Sequence, residues 1–145
     1  MIRTINQEGV SLIKYFEGFS PAVYLDAAGL ATIGYGHLLR KNEVYEGEIT
    51  QRQAEILLQQ DLGVAQRAVQ RLVHVPLTDN QFAALVSFAF NLGAGALQRS
   101  TLRHKVNREE HGEVPAEFKR WVWAGGKRLA GLIRRREAEA VLYQS

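Results

Sequence analysis

The sequence predicts an α+β fold, a small antiparallel sheet near the N-terminus followed by helices, and three observations carry that reading. Residues 19 to about 49 combine Gly29, Gly34, Gly36 and Gly47 with the β-formers Val23, Tyr24, Ile33, Tyr35 and Val44. From Thr50 onward the apolar residues recur at three- and four-residue steps, the helical period. Ahead of both, Ile5, Leu12, Ile13 and Phe16 can share one helical face. Helix, sheet, then helices is an α+β order in which the sheet is segregated from the helical mass.

The elements follow in chain order. The first helix is predicted over about Thr4 to Glu17, with Thr4 and Gln7 as a capping box and Asn6 as a rival cap. Gly18 places Glu17 at its C-terminal end. Asp26-Ala27-Ala28-Gly29 is the expected hairpin turn within the sheet. Thr50 and Gln53 form a second capping-box pattern. Ala54, Leu57, Leu58, Leu62, Ala65, Ala68, Val69 and Leu72 then predict a helix of more than about 20 residues, long enough to join two lobes. Val75-Pro76-Leu77 ends it. Thr78 and Gln81 open a helix whose Phe82–Phe90 stretch is apolar nearly all round, which belongs inside a core. Asn91 to Gly95 stops that helix. A short basic helix is expected over Thr101 to Arg108. Another starts at Pro115 and carries Phe118, Trp121 and Val122, with Gly125-Gly126 as its stop, and a last helix runs from Gly131 to Tyr143.

The chain of 145 residues suits one compact unit, residues 1–145, with a sheet lobe over about 18–49 and a helical lobe over about 73–145 plus the N-terminal helix. Cysteine is absent, which excludes disulfide scaffolds, thiol nucleophiles and thiolate metal sites. The first eight residues hold no apolar core segment, so no secretory signal or signal-anchor helix is visible. Phe82–Phe90 falls far short of the roughly 20 apolar residues that span a bilayer, so no stable membrane insertion is expected. A soluble protein made in the cytoplasm is expected. A formal net charge of +3 favours polyanionic partners without choosing among them.

The chemistry-bearing residues cluster early. Glu17 stands nine positions before Asp26, and Asp26 six before Thr32, where a glycine-punctuated β segment begins. A carboxylic acid, a second carboxylate and a hydroxyl that holds a water are what glycoside hydrolysis requires. Glu17, flanked by Phe16 and Phe19, is the candidate acid, because apolar surroundings favour its protonated form. Asp26 is the candidate carboxylate that orients or deprotonates a water, or steadies charge on the sugar ring. Thr32 would hydrogen-bond that water. The bland alternative is a helix-end Glu, a turn Asp and a strand Thr. The incomplete Gly34/Gly36 pattern does not make a phosphate loop.

The wider pattern adds to this reading. Glu17-Gly18-Phe19, Tyr24, Gly29 and Thr32-Ile33-Gly34-Tyr35-Gly36-His37-Leu38-Leu39 resemble the phage-type lysozymes, the muramidase endolysins of tailed bacteriophages and prophages. Thr50 to Asp61, Phe82 to Gly93, Arg120-Trp121 and Arg134-Arg135-Arg136 extend the likeness over nearly the whole chain, most loosely after about residue 96. The resemblance implies a lysozyme-like fold and inverting hydrolysis of the β-1,4 bond between N-acetylmuramic acid and N-acetylglucosamine in bacterial peptidoglycan, without cofactor or metal. It implies Glu17, Asp26 and Thr32 as catalytic residues, and Leu38, Phe90 and Thr101 as residues lining the substrate cleft. It implies host-cell lysis, with a separate holin for release from the host cytoplasm to the wall and monomer as the default state. It makes His37 a structural, ion-paired residue, and it brings one arginine of the 134–136 cluster to Glu17.

Other readings compete. A lytic transglycosylase acts on the same bond with one Glu and no water. A non-enzymatic basic binder of wall polymer or nucleic acid would rely on Lys and Arg alone, and no nucleic-acid motif is present. The three arginines read most simply as a solvated helix face balanced by Glu137 and Glu139. His74, His104 and His111 show no metal-ligand spacing. Trp121 is expected in the core, while Trp123 suits core or sugar stacking.

Overall fold

The computed structural model describes residues 2–145. The first helix, α1, spans Gln7–Glu17. Its cap is Asn6, whose side chain accepts from the Gly9 N–H at 3.0 Å. The helix therefore starts three residues later than expected. Ahead of it, the backbone N–H groups of Arg3 and Ile5 donate to the side chains of Gln70 and Gln66. Gly9 is buried, and any Cβ there would meet the Ala83 side chain.

A three-stranded antiparallel sheet follows, in the order β1 (Ser20–Leu25), β2 (Ala31–Gly34) and β3 (His37–Leu38). Tyr24 pairs with Thr32 and Leu25 with Ala31, while Thr32 also faces Leu38 and Ile33 faces His37. A register shift between Ser20 and Tyr24 bends β1. Asp26 makes the expected turn, its Oδ1 accepting from the N–H groups of Ala28 and Leu30, both at 2.9 Å. The buried His37 ring fixes the far edge. Its Nδ1 lies 2.8 Å from Asp61 Oδ2, and its Nε2 lies 3.0 Å from Glu43 Oε1.

Helix α2 runs over Gln51–Leu72 and α3 over Asp79–Leu92. Both open on the predicted capping boxes, with Thr50/Gln53 and Thr78/Gln81 satisfying two backbone N–H groups each. The apolar stripe of α2 reaches the sheet at one end and α3 further along. All of Phe82 to Ala89 is buried, so α3 forms the axis of the helical core. Burying a Phe82 or Phe88 side chain contributes about 1.5–3 kcal/mol each. Phe88 meets Phe118 and Trp121 edge-on, at 5.7 and 5.5 Å between ring centroids.

The C-terminal third differs from expectation in four places. Helix α4 (Ala94–Arg99) restarts at once after Gly93 and precedes α5 (Thr101–Asn107). Its six residues are too few to show a period. Helix α6 stops at Phe118, having begun at Val114. Trp121 and Val122 lie beyond it, and Gly125-Gly126 is a hairpin turn instead of a helix stop. It joins β4 (Trp123–Ala124) to β5 (Lys127–Arg128), and both glycines have positive φ, as a two-residue turn matched to strand twist requires. Trp123 is exposed. The last helix, α7 (Ala130–Gln144), packs mainly on α3 and α6. Its Arg135, Arg136 and Glu139 are buried, and only Arg134 of the three arginines is exposed, so the solvated face expected there is a buried ionic cluster.

Candidate active site

Glu17 ends α1 because Gly18 (φ 69°) leaves the helical path. Its half-buried side chain meets a cation. Arg135 Nη1, from α7, donates to Glu17 Oε2 at 2.7 Å. The surroundings are therefore ionic where the sequence predicted apolar ones. Phe16 lies under the same guanidinium at 5.9 Å, and Phe19 turns away to stack on Tyr35. The other carboxyl oxygen rests on the backbone of Gly36, where any Cβ would overlap it. Gly36 has φ 74°. Close approach of a carboxylate, at a left-handed position, is what requires glycine here.

Tyr24 lies within the electrostatic influence of both Glu17 and Asp26. Burial raises the Tyr24 hydroxyl above its ordinary value, and the charges of Glu17 and Asp26 raise it further. Both carboxyls therefore act on one phenol. Asp26 keeps Oδ2 without a partner among the described residues, since the turn bonds use only Oδ1. Thr32 sits opposite Tyr24, is buried, and donates its hydroxyl proton to the Leu30 carbonyl at 2.9 Å. Its oxygen lone pairs are left to accept. A water bound there must donate to Thr32.

The three residues expected in a substrate cleft divide between two hollows. Leu38 and Phe90 line one cavity of about 250 Å³ together with Gly36, His37, Asp61 and Ala94. Thr101 lies apart, in a depression with Arg99, Ser100, Arg120 and Trp121. Glu17 opens on a third hollow, of about 580 Å³, with Asn91, Leu132 and Arg135. Gly36 borders the first hollow and carries the Glu17 carboxyl, and Phe90 and Asn91 are consecutive on α3, so the first and third adjoin.

Behind Arg135 lies the buried cluster. Glu139 Oε2 accepts from Ser87 Oγ at 2.5 Å and from Arg136 Nη2 at 3.1 Å, and it lies 3.4 Å from Arg135 Nε. Arg136 Nε is 2.7 Å from Glu139 Oε1, and its Nη2 also donates to Asn91 Oδ1 at 2.7 Å. Burial raises the Glu139 carboxyl, and the charges of Arg136 and Arg135 and the Ser87 hydroxyl oppose that rise. Burial likewise lowers Arg136. The sequence reading had the arginine cluster but neither Ser87 nor a burial signal. The four-residue step from Arg135 to Glu139 was visible, and it fits an exposed pair equally well.

A carboxyl held at the junction of helix, sheet edge and helical core, in an α+β fold of this order, defines a lysozyme-like molecule. The comparisons agree. The profile of the phage lysozyme family matches residues 14–139. The endolysin of Acyrthosiphon pisum secondary endosymbiont phage 1 is 41% identical over 97% of this chain and 98% of its own. The endolysin of Bacillus phage B103 is 40% identical over 96% of this chain, which spans 53% of that relative's length. The solved muramidase domain of SpmX from Asticaccaulis excentricus superimposes with a TM-score of 0.88 at 40% identity, covering 99% of each chain. The chain belongs to the phage lysozyme family, and its class is that of the cell-wall lytic enzymes. No described helix is long and apolar enough to cross a membrane.

Proposed function

We propose that this chain hydrolyses the β-1,4 bond between N-acetylmuramic acid and N-acetylglucosamine in bacterial peptidoglycan, with inversion, as an endolysin for host-cell lysis. The observation that carries the proposal is the Glu17 carboxyl, held between the Arg135 guanidinium and the Gly36 backbone while sharing Tyr24 with Asp26. Glu17 delivers a proton to the leaving glycosidic oxygen. Asp26, aimed by two backbone N–H groups through Oδ1, offers Oδ2 to a water on the opposite face of the sugar. Thr32 accepts a hydrogen bond from that water, because its own proton is committed to Leu30. Leu38 and Phe90 give the sugar an apolar wall, and Thr101 contacts the glycan further along. Residues 1–145 act as one catalytic domain and a monomer, without cofactor or metal. The enzyme waits in the host cytoplasm until a separate holin releases it to the wall.

Clearing of chloroform-treated Gram-negative cells by wild type beside Glu17→Gln tests this. Loss of a general acid is expected to lower the rate by about 10²–10⁴-fold. Equal clearing by both would remove Glu17 from that role. Mass spectrometry of the released muropeptides separates the rival chemistry, since a transglycosylase leaves anhydro ends and hydrolysis leaves reducing ends.

A further inference from the structure

Arg135 reaches Glu17 from below, and something must hold that guanidinium and share its charge. Glu139 lies one turn further along α7, is fully buried, and touches no part of the hollow that Glu17 opens on. Both of its oxygens face donors. Ser87 Oγ and Arg136 Nη2 donate to Oε2, Arg135 Nε lies 3.4 Å from Oε2 and Arg136 Nε 2.7 Å from Oε1, so positive charge stands against both oxygens and opposes the rise that burial gives this carboxyl. The charged groups facing Glu139 are Arg135 and Arg136 of its own helix, while α3 presents the neutral Ser87 and Asn91. Facing Glu17 are Arg135 from α7 and Tyr24 from β1. Two guanidiniums thus stand against two carboxyl groups, and Arg135 is in contact with both.

We propose that Glu139 is a positioning residue for the reaction: it fixes the Arg135 guanidinium on α7 and takes up part of its charge, and so sets the pH range over which Glu17 can donate its proton. The proposal rests on Glu17 being the acid. Arg135 donates to Glu17 Oε2 at 2.7 Å and lies 3.4 Å from Glu139 Oε2, so one guanidinium is shared between the two carboxyls, and removing the Glu139 charge leaves it to Glu17 alone. Ser87 anchors both partners, with its hydroxyl on Glu139 and its hydroxyl and carbonyl oxygens 3.4 Å from Arg135 Nη2.

The test is the pH dependence of kcat/KM on a soluble peptidoglycan fragment, for wild type, Glu139→Gln and Glu139→Asp, with Glu17→Gln in parallel. Glu139→Gln keeps the volume and removes the charge. Its alkaline limb is expected about one pH unit below that of wild type. Glu139→Asp keeps the charge and withdraws it by one methylene, so its limb falls between the two, and it carries the test alone if Glu139→Gln fails to fold. Superimposed limbs, a limb moved to higher pH, or a lower melting temperature with an unmoved profile would each overturn the proposal. An inactive Glu17→Gln beside unmoved limbs sinks this inference and spares the proposed function. An active Glu17→Gln sinks the proposed function instead.

Discussion

The residue scale is where Glu17 is made useful, and Gly36 shows how. A side chain at position 36 meets the Glu17 carboxyl and must also adopt φ near 74°. The backbone conformation alone costs about 1–3 kcal/mol for a residue with a Cβ. Gly36→Ala is therefore expected to lower stability by that amount, read by thermal or urea unfolding. It is also expected to lower lysis at temperatures where the protein stays folded, because the carboxyl must leave its seat. Activity retained in the folded variant would mean that Glu17 does not work from that seat. The sequence offered Glu17, Asp26 and Thr32 as candidates through their spacing and flanking glycines. It did not reveal that Gly36 carries the carboxyl, because a glycine that supports a contact looks the same in sequence as one that bends a strand.

At the scale of elements, His37 ties the sheet to the rest of the molecule, with Asp61 of α2 on one nitrogen and Glu43 of the following loop on the other. Glu43 gives this tie a pH dependence. The Arg40 backbone N–H, then the His37 ring and the Tyr45 hydroxyl, hold its carboxyl down at about 2 against the opposing effect of burial. A carboxyl lowered in the folded state contributes stability above its unfolded value, near 4.5, and loses it as pH falls toward about 2. With a quarter of the side chain exposed, solvent screening reduces the contribution to about 1–2 kcal/mol. Unfolding curves between pH 5 and pH 2 are expected to flatten by that amount in Glu43→Gln (an order-of-magnitude window). Parallel curves for variant and wild type would show that the loop bonds do not persist in solution.

Elements with a strong local signal were legible in the sequence. The capping boxes at Thr50 and Thr78 and the apolar run of α3 each state their element within a few residues. The failures were equally local. Asn6 displaced Thr4 as a cap because the residues before it are tied to α2. Helix α4 is shorter than two turns, and Gly125-Gly126 suits a helix stop and a hairpin equally well until the flanking strands are seen to pair.

At the scale of the whole molecule, the site depends on contacts that no local pattern encodes. Glu17 and Arg135 are 118 positions apart and meet because α1 and α7 both pack against α3. The buried arginines looked solvated in the sequence, since an Arg-Glu step of four suits both surroundings. Placing two guanidiniums and Glu139 inside the core is a weak route to stability, and breaking such a cluster by removing one charge typically costs about 3–5 kcal/mol. Under the proposal for Glu139, the cluster acts on the proposed acid, Glu17, more than on stability.

The proposed roles of Glu17 and Asp26 make a definite prediction about stereochemistry. In the proposed mechanism a water placed by Asp26 and Thr32 attacks the face of the sugar opposite the bond that Glu17 protonates, which would invert the anomeric centre. Proton NMR of the reducing end, recorded in the first moments of cleavage of a soluble peptidoglycan oligomer, reads this directly. The α anomer is expected to appear first and to mutarotate afterwards. A β anomer appearing first, or products with no reducing end, would contradict the assignment of Glu17 and Asp26 to acid and water-directing carboxylate.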